Sequence, residues 1–332
     1  MPKEFTHFLI ADKALGKAKA ENAEAGLCIK ENYNLFMLGA ILCDSPYYHL
    51  PFSGSKGSLL ALSKNIHKPC GEIDSDFFQR LAAAITGENM EAYFAFLCGI
   101  LSHHIADRNF HPFIFYFTGK DSDPSRHRFL ESLIDLRLMR VMADKKICRA
   151  SLADYLSLEK STMLPCLHMF VKASVPPAMK NETAAITEKL WKALRFEIFL
   201  SSLYNNRVIL KALIRTNKLL KARFSPFVTL FYPEESSCDL SLLNSEFSYR
   251  APSSGEERDA SLASIAEKTA EQLSSAIILA YKNLKDSKPI FDKESINKLF
   301  NKRDQEAFEL RHSDTKAIDT AMQAFLKIMP QD

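Results

Sequence analysis

The chain has 332 residues, of which 47% are hydrophobic and 25% are charged, and its formal net charge is +3. This composition is typical of a soluble globular protein with a sizeable core, and it excludes a disordered or fibrous chain. The small charge and the lack of a dense Lys/Arg run argue against nucleic acid as a partner without excluding it. Only 10 residues are glycine, which favours helix over sheet.

The start of the chain and its cysteines bear on the cellular compartment. The first residues show no basic segment followed by a long apolar stretch, so we predict no signal peptide. The longest apolar run, 35–43, is far shorter than the ~20 residues that a membrane span needs, so we predict no transmembrane segment. The seven cysteines are odd in number and scattered, with no CxxC pair, which favours a reducing, cytoplasmic location.

Apolar residues at helical spacing predict an all-α, multi-helix fold. In chain order we predict a first helix capped by Thr6, a helix over 34–43, a loop over 47–73, helices over 75–85, 90–106 and 125–143, one long or broken helix over 181–224, and helices over 264–285 and 316–329. Pro112 predicts that the helical segment containing 90–106 ends near His111. The expected organisation is a metal-binding helical domain over 1–225, a loop or disordered segment over 226–260, and a helical C-terminal extension over 261–332 that packs on the core.

Histidines and carboxylates cluster between residues 103 and 131. His103 and Asp107 lie one turn apart on a helix that is apolar enough to be buried, and His111 follows one turn later or on the first loop residue. His127 and Glu131 repeat the one-turn spacing on the next helix. Imidazole and carboxylate are the ligands of hydrolytic zinc, and a carboxylate can bridge two ions. The spacing therefore predicts a zinc centre.

A purely structural interpretation of these residues competes with this prediction. A single His-x3-Asp pair is commonly a satisfied core pair or a surface ion pair, and metal or plain hydrogen bonding can brace helices in a protein without catalytic activity. Two consecutive pairs and a further histidine beside a proline are rarer, so we prefer the metal interpretation.

These residues resemble the zinc-dependent phospholipase C superfamily, and most closely its intracellular bacterial branch, whose fold is similar to that of zinc nucleases. The family carries His-x3-Asp and a further His near Pro on one helix and His-x3-Glu on the next, as here. His7, in Thr-His-Phe-Leu-Ile-Ala, resembles the early family histidine, and His67 resembles the loop histidine before the metal helix. Asp44, at the end of Gly-Ala-Ile-Leu-Cys-Asp, resembles the aspartate that lines the catalytic metal. The metal ligands that the resemblance implies are His7, Asp44, His67, His103, Asp107, His111, His127 and Glu131.

The resemblance also implies how these ligands divide among zinc ions. The first ion would take His67, His103 and Asp107, with Asp44 beside it as ligand or general base. The second would take the ligands near the proline and on the next helix, namely His111, His127 and Glu131. The family completes a third site, with His7 and Asp107, by the α-amino group of a terminal tryptophan, whereas the only tryptophan here is Trp191. We therefore expect two zinc ions, and a third where another group completes the site.

The implied activity is hydrolysis of a phosphoester, as in a phospholipase C-like phosphodiesterase. A metal-bound hydroxide, oriented or deprotonated by Asp44, would attack phosphorus while zinc neutralises the developing charge. The substrate would be a phosphoester, with phospholipid as one candidate. The alternatives are a zinc nuclease or nucleotidase and a non-catalytic, metal-braced helical protein. The sequence predicts neither the head group nor the oligomeric state.

Overall fold

The computed structural model describes residues 3–48, 56–66, 75–119, 124–143, 151–157, 159–234, 243, 247–250, 257–299 and 315–327. The helices in these ranges are α1 (Glu4–Glu21), α2 (Ala23–Glu31), α3 (Tyr33–Leu42), α4 (Lys56–Ile66), α5 (Ser75–Ala83), α6 (Met90–Thr118), α7 (Pro124–Met142), α8 (Lys160–Ser174), α9 (Thr183–Leu203), α10 (Arg207–Leu219), α11 (Ser225–Val228), α12 (Leu262–Lys285), α13 (Lys293–Leu299) and α14 (Thr315–Lys327). Short 3-10 helices span Ser45–Tyr48, Leu152–Asp154 and Pro177–Glu182. The strands β1 (Phe247–Arg250) and β2 (Glu257–Ala260) pair antiparallel, with Phe247 opposite Ala260.

Helix α6 is the central element of the fold. It is 29 residues long and packs against α1, α2, α3, α7 and α12. Its apolar residues lie on several sides of the helix and are buried, as in Phe94, Leu97, Ile100 and Ile105. A helix that is apolar all round is stable in water only when other elements surround it, so the sequence of α6 itself dictates its central place.

Helices α3 and α6 approach each other through two glycines. A Cβ atom on Gly39 would lie 2.4 Å from the carbonyl oxygen of Phe96, and a Cβ atom on Gly99 would lie 2.0 Å from the carbonyl oxygen of Phe36. Real Cβ atoms do not approach oxygen this closely, so only glycine fits at both positions. The contact places the end of α3, and Asp44 just after it, beside the middle of α6.

The first turn of α1 is stabilised by a side chain from α7. The helix begins at Glu4, so the prediction that Thr6 caps it is wrong, and Lys3 makes no side-chain cap. Instead Asp135 Oδ1 accepts hydrogen bonds from the backbone N–H of Thr6 at 2.8 Å and from its hydroxyl at 2.6 Å. Tyr232 donates its hydroxyl to Asp135 Oδ2 at 2.8 Å. A buried carboxylate at a helix N-terminus satisfies donors that the helix cannot pair itself.

The prediction of an all-α fold is confirmed, with the β1–β2 pair as the exception among the described residues. The long apolar segment over 181–224 is broken, as one alternative predicted, because α9 ends at Leu203 and α10 begins at Arg207. The division into two helical parts joined by a loop over 226–260 stays a prediction, although α11, β1 and β2 show that this segment contains regular structure. None of the described helices combines the length and the apolarity that crossing a bilayer demands.

Two further local predictions are wrong. Helix α6 continues through Pro112 to Thr118 rather than ending near His111, since the burial of Phe113, Ile114 and Phe117 offsets the ~3 kcal/mol that an internal proline costs. Helix α4 lies within the predicted loop over 47–73. Its core-facing residues are spaced like one face of a helix: Leu59, Leu62 and Ile66.

Candidate metal centre

The first candidate ligands meet around His103 of α6. Its Nε2 atom lies 3.4 Å from Asp107 Oδ2 and 3.8 Å from Asp44 Oδ1. Its Nδ1 atom lies 3.0 Å from the carbonyl oxygen of Ala40, which assigns the proton to Nδ1 and leaves Nε2 to face the carboxylates. The ring is fully buried. The close contact of α3 and α6 thus orients the imidazole as metal sites require.

His7 of α1 completes this group. Its ring stacks on that of His103, with centroids 4.3 Å apart and planes 13° apart, and its Nε2 atom lies 3.6 Å from Asp107 Oδ1. Candidate ligand atoms of His7, His103 and Asp107 all lie within 4.8 Å of one another. Each of the two imidazoles therefore faces a different oxygen of the same carboxylate, as ligands of one ion or of two bridged ions do. We call His7, Asp44, His103 and Asp107 the inner group.

The ring nitrogens of His7 provide the test of whether the inner group fits a metal. The residue is 1% exposed, and among the described residues neither Nδ1 nor Nε2 has a hydrogen-bond partner. An unsatisfied buried polar atom costs about 1–3 kcal/mol, so such an arrangement is rare without a compensating ligand. Nitrogen and carboxylate oxygen are the donor atoms that zinc prefers, and the inner group therefore fits zinc.

Electrostatics sets the protonation of the inner group. Burial, helped by the neighbouring His103, lowers the pKa of His7 to about 4, so this imidazole is neutral and ready to bind a cation. Burial also acts to lower the pKa of His103, but the charges of Asp107 and Asp44 outweigh it and raise that pKa to about 9. Against its own burial, the pKa of Asp107 is held well below the usual range by His103. Without metal, the protonated His103 supplies the positive charge that Asp107 and Asp44 face. A bound divalent cation would displace that proton and supply the positive charge instead.

A second group lies on the next turn of α6 and on α7. His127 Nε2 is 2.9 Å from Glu131 Oε1, and the centroid of the His127 ring is 6.1 Å from that of His111. The Phe115 ring stacks on His111 at 5.1 Å. Burial lowers the pKa of His111 to about 3. Burial of Glu131 would raise its pKa, but positive charge around it, including that of His127, lowers the pKa to about 2. We call His111, His127 and Glu131 the outer group.

Of the eight predicted ligands, seven therefore fall into two groups on α1, α6, α7 and the end of α3. The eighth, His67, lies outside the described residues, so its role stays a prediction. His7 stacks directly on His103, and the division of these residues among zinc ions stays a prediction.

Sequence reasoning missed two buried glutamates beside the inner group. Glu197 of α9 is fully buried and its Oε2 atom accepts a hydrogen bond from the hydroxyl of Ser45, the residue after Asp44. Glu4 accepts a hydrogen bond from the hydroxyl of Tyr48 at 2.6 Å. Burial and the charge of Glu4 raise the pKa of Glu197 well above its usual range. The signal available in the sequence was a lone acid within the apolar segment Phe-Glu-Ile-Phe of α9.

The helices of this all-α fold bring histidines and carboxylates together in one place. This arrangement is that of a helical metal-binding protein. The sequence model of the family described as "Zinc dependent phospholipase C" matches residues 6–172, which is just over half of the chain and spans all eight predicted ligands. The chain belongs to this family. A search of curated proteins and a search of solved structures each return no match.

Proposed function

We propose that the protein is a zinc-dependent phosphodiesterase of the phospholipase C type. The observation that supports this most strongly is the buried His7 ring, which has two nitrogens without a hydrogen-bond partner in the described part of the chain and stacks on His103 beside a shared carboxylate. Such a group is costly in a protein without metal, and it is what a metal centre requires.

The proposed metal content is two zinc ions, with a third where His7 and Asp107 gain a further ligand. His103 and Asp107 would hold the first ion, together with His67. The outer group would hold the second. This count leaves about three protein ligands for each ion, which is typical of catalytic rather than structural zinc, since structural sites have four.

Asp44 is the proposed general base. Bound zinc would supply Lewis-acid stabilisation of a phosphate and lower the pKa of a coordinated water to about 7. The Asp44 side chain is 16% exposed, against 10% for Asp107 and 0% for His103, so it is the carboxylate of this group nearest to solvent. It can therefore orient the attacking water and accept its proton. The Ala40 carbonyl fixes the orientation of the His103 ring, so the ring faces Asp44 and Asp107 before any substrate binds.

Zinc analysis and hydrolysis of a chromogenic phosphocholine ester test the proposal. We expect purified protein to contain zinc, chelation to abolish turnover and added zinc to restore it. Asp44→Asn should abolish turnover with unchanged helicity. Turnover that survives chelation, or zinc-loaded protein that cleaves no phosphoester, would overturn the proposal. Single-stranded DNA is tested beside the ester, since faster cleavage of DNA would indicate the nuclease alternative instead.

We also propose a cytoplasmic location. The four cysteines in the described ranges, Cys28, Cys43, Cys98 and Cys166, are free and buried, which fits a reducing compartment. Fractionation of cells producing the full chain tests the location.

A further inference from the structure

Seven consecutive residues are exposed between the last turn of α10 and the start of α11. Residues 218–224 read Lys-Leu-Leu-Lys-Ala-Arg-Phe, and every one of them is exposed. Leu219 is 83% exposed, Leu220 is 42% exposed and Phe224 is 38% exposed. Single apolar residues scattered over a surface are ordinary, but three large exposed ones within six consecutive residues indicate a contact surface. We call residues 218–224 the cationic turn.

The cationic turn has a defined conformation. Asn217, which is 5% exposed, accepts a hydrogen bond on Oδ1 from the backbone N–H of Phe224 at 2.8 Å and donates through Nδ2 to Ser225 Oγ at 3.1 Å. Lys221 and Ala222 both adopt the left-handed backbone region, with φ of 51° and 65°. Non-glycine residues hold this conformation only where surrounding bonds enforce it. The exposure of the leucines is therefore built into the fold and does not come from fraying.

The charge along this part of the chain has a single sign. Residues 207–228 contain six Lys or Arg residues and no acidic residue, and no Asp or Glu occurs between Glu197 and Glu234. Five of the six cations are exposed. Helix α10 buries the opposite face, through Leu210 and Ile214. A basic surface with exposed apolar side chains is the pattern of proteins that lie on anionic lipid.

The segment directly after the turn is attached to α7, the helix that carries His127 and Glu131. Arg128 of α7 donates from Nη1 to the carbonyl oxygen of Pro226 at 3.0 Å. One turn further along, Ser132 donates its hydroxyl to the carbonyl oxygen of Thr229 at 3.1 Å. Arg128 directly follows His127, so the segment after the turn contacts α7 next to a residue of the outer group.

We propose that the cationic turn docks the protein on an anionic phospholipid bilayer. Leu219, Leu220 and Phe224 enter the boundary between head groups and acyl chains, while the cations contact lipid phosphates. Single-stranded nucleic acid fits less well, because exposed leucines offer no stacking platform and the rings of Phe224 and Phe227 are tilted by 44°. The inference rests on the proposed function for its consequence, since it makes a membrane lipid the substrate, but docking itself requires no metal.

Co-sedimentation with vesicles tests the docking. The full chain is treated with chelator, so that lipid hydrolysis does not interfere, and mixed with vesicles of phosphatidylcholine or of equimolar phosphatidylcholine and phosphatidylglycerol. We expect binding to the anionic vesicles to be at least about tenfold tighter, and to weaken as salt is raised.

Two double variants separate the contributions of the turn. Leu219→Ser with Leu220→Ser, and Lys218→Glu with Arg223→Glu, should each weaken binding by about tenfold or more. The matched controls are Leu27→Ser with Val141→Ser, whose side chains are each 51% exposed elsewhere, and Lys268→Glu with Lys282→Glu on α12. The controls should bind as the wild type does. Helicity and melting temperature verify that each variant is folded.

Several results would overturn the proposal. One is wild-type binding that is no tighter to anionic than to zwitterionic vesicles. Another is normal vesicle binding by turn variants that are folded. A third is a protein that binds no vesicles but forms a dimer, which the leucine variant dissociates. Preferential binding to single-stranded DNA would also overturn it. Hydrolysis of the soluble ester is measured in parallel and should be unchanged by the turn variants. Failure of that hydrolysis in the wild type concerns the proposed activity, whereas failure of sedimentation concerns the docking alone.

Discussion

The inner and outer groups contain similar residue types but are constructed differently. In the inner group His7 and His103 are 96 positions apart, and the group depends on the packing of α1, α3 and α6. In the outer group His127 and Glu131 are one turn apart on α7, and the His127 side chain is 21% exposed. The comparison teaches that one group derives its geometry from long-range packing and the other largely from helical periodicity. Changes in the core should therefore affect the inner group first.

The largest effect is expected for His103→Ala. It removes the imidazole that faces both Asp107 and Asp44, so we expect phosphoester hydrolysis to fall by about 10³-fold or more and the zinc content to fall. The matched control is His168→Ala, which changes an exposed histidine on α8 and should leave both quantities unchanged. Zinc analysis and ester turnover measure the outcome. Equal losses in both variants would contradict the assignment.

Gly99→Ala tests whether helix packing sets the inner group. The new methyl would lie 2.0 Å from the carbonyl oxygen of Phe36, so α3 and α6 must separate, at a cost of about 3 kcal/mol or more in the free energy of unfolding. The shift should also weaken zinc binding at the inner group more than at the outer group. Gly16→Ala is the control, because its Cβ meets nothing within 4 Å, and it should stabilise α1 by about 0.5–1 kcal/mol. Denaturant unfolding and zinc titration distinguish the two, and a stable Gly99→Ala protein with normal zinc binding would refute the packing argument.

Asp135→Ala should destabilise the protein by about 2–3 kcal/mol. Three donors, two on Thr6 and one on Tyr232, would lose their acceptor inside the protein. The control Asp12→Ala removes an exposed acceptor of one hydrogen bond from Tyr33, so its effect should be below about 1 kcal/mol. Thermal and denaturant unfolding provide the comparison. If Asp135→Ala also moves His7, zinc affinity of the inner group falls while that of the outer group is retained.

Asp135→Asn isolates the charge of this residue. Burial raises the pKa of Asp135 from 3.8 to about 7, so the folded protein holds a proton that the unfolded chain releases above pH 4. This contribution to stability is fully present below that pH and is lost as pH rises towards 7. The asparagine variant retains an acceptor for Thr6 but cannot titrate. Its free energy of unfolding should therefore fall less between pH 4 and 7 than that of the wild type. Unfolding free energies of both proteins between pH 4 and 8 provide the measurement, and parallel curves would contradict the pKa direction.

The smallest effect on stability is expected for His127→Ala. Its side chain is partly exposed and its partner Glu131 is on the same helix, so the free energy of unfolding of metal-free protein should change by less than about 1 kcal/mol. Zinc content should fall by one ion, whereas His7→Ala should affect both zinc content and stability. Equal destabilisation by the two substitutions would remove the contrast between the groups.

The sequence predicted what depends on local periodicity. The all-α class, the central place of the apolar helix around His103, and the one-turn pairs at 103–107 and 127–131 all follow from spacing along a helix. The stacking of His7 on His103 could not be derived in that way, because it depends on how three helices pack. The contact of Glu197 with Ser45 could not be derived for the same reason, since it joins α9 to the segment after α3. Pro112 was misleading, because burial of the aromatic residues after it outweighs its local preference.

The glycine contact between α3 and α6 has a consequence for engineering. The spacing of Asp44 and His103 is fixed by two main chains that touch, with no side chain between them to exchange. Repacking the surrounding core with larger or smaller residues therefore cannot tune that spacing. Attempts to change the metal preference should substitute the donor atoms themselves and leave both glycines untouched.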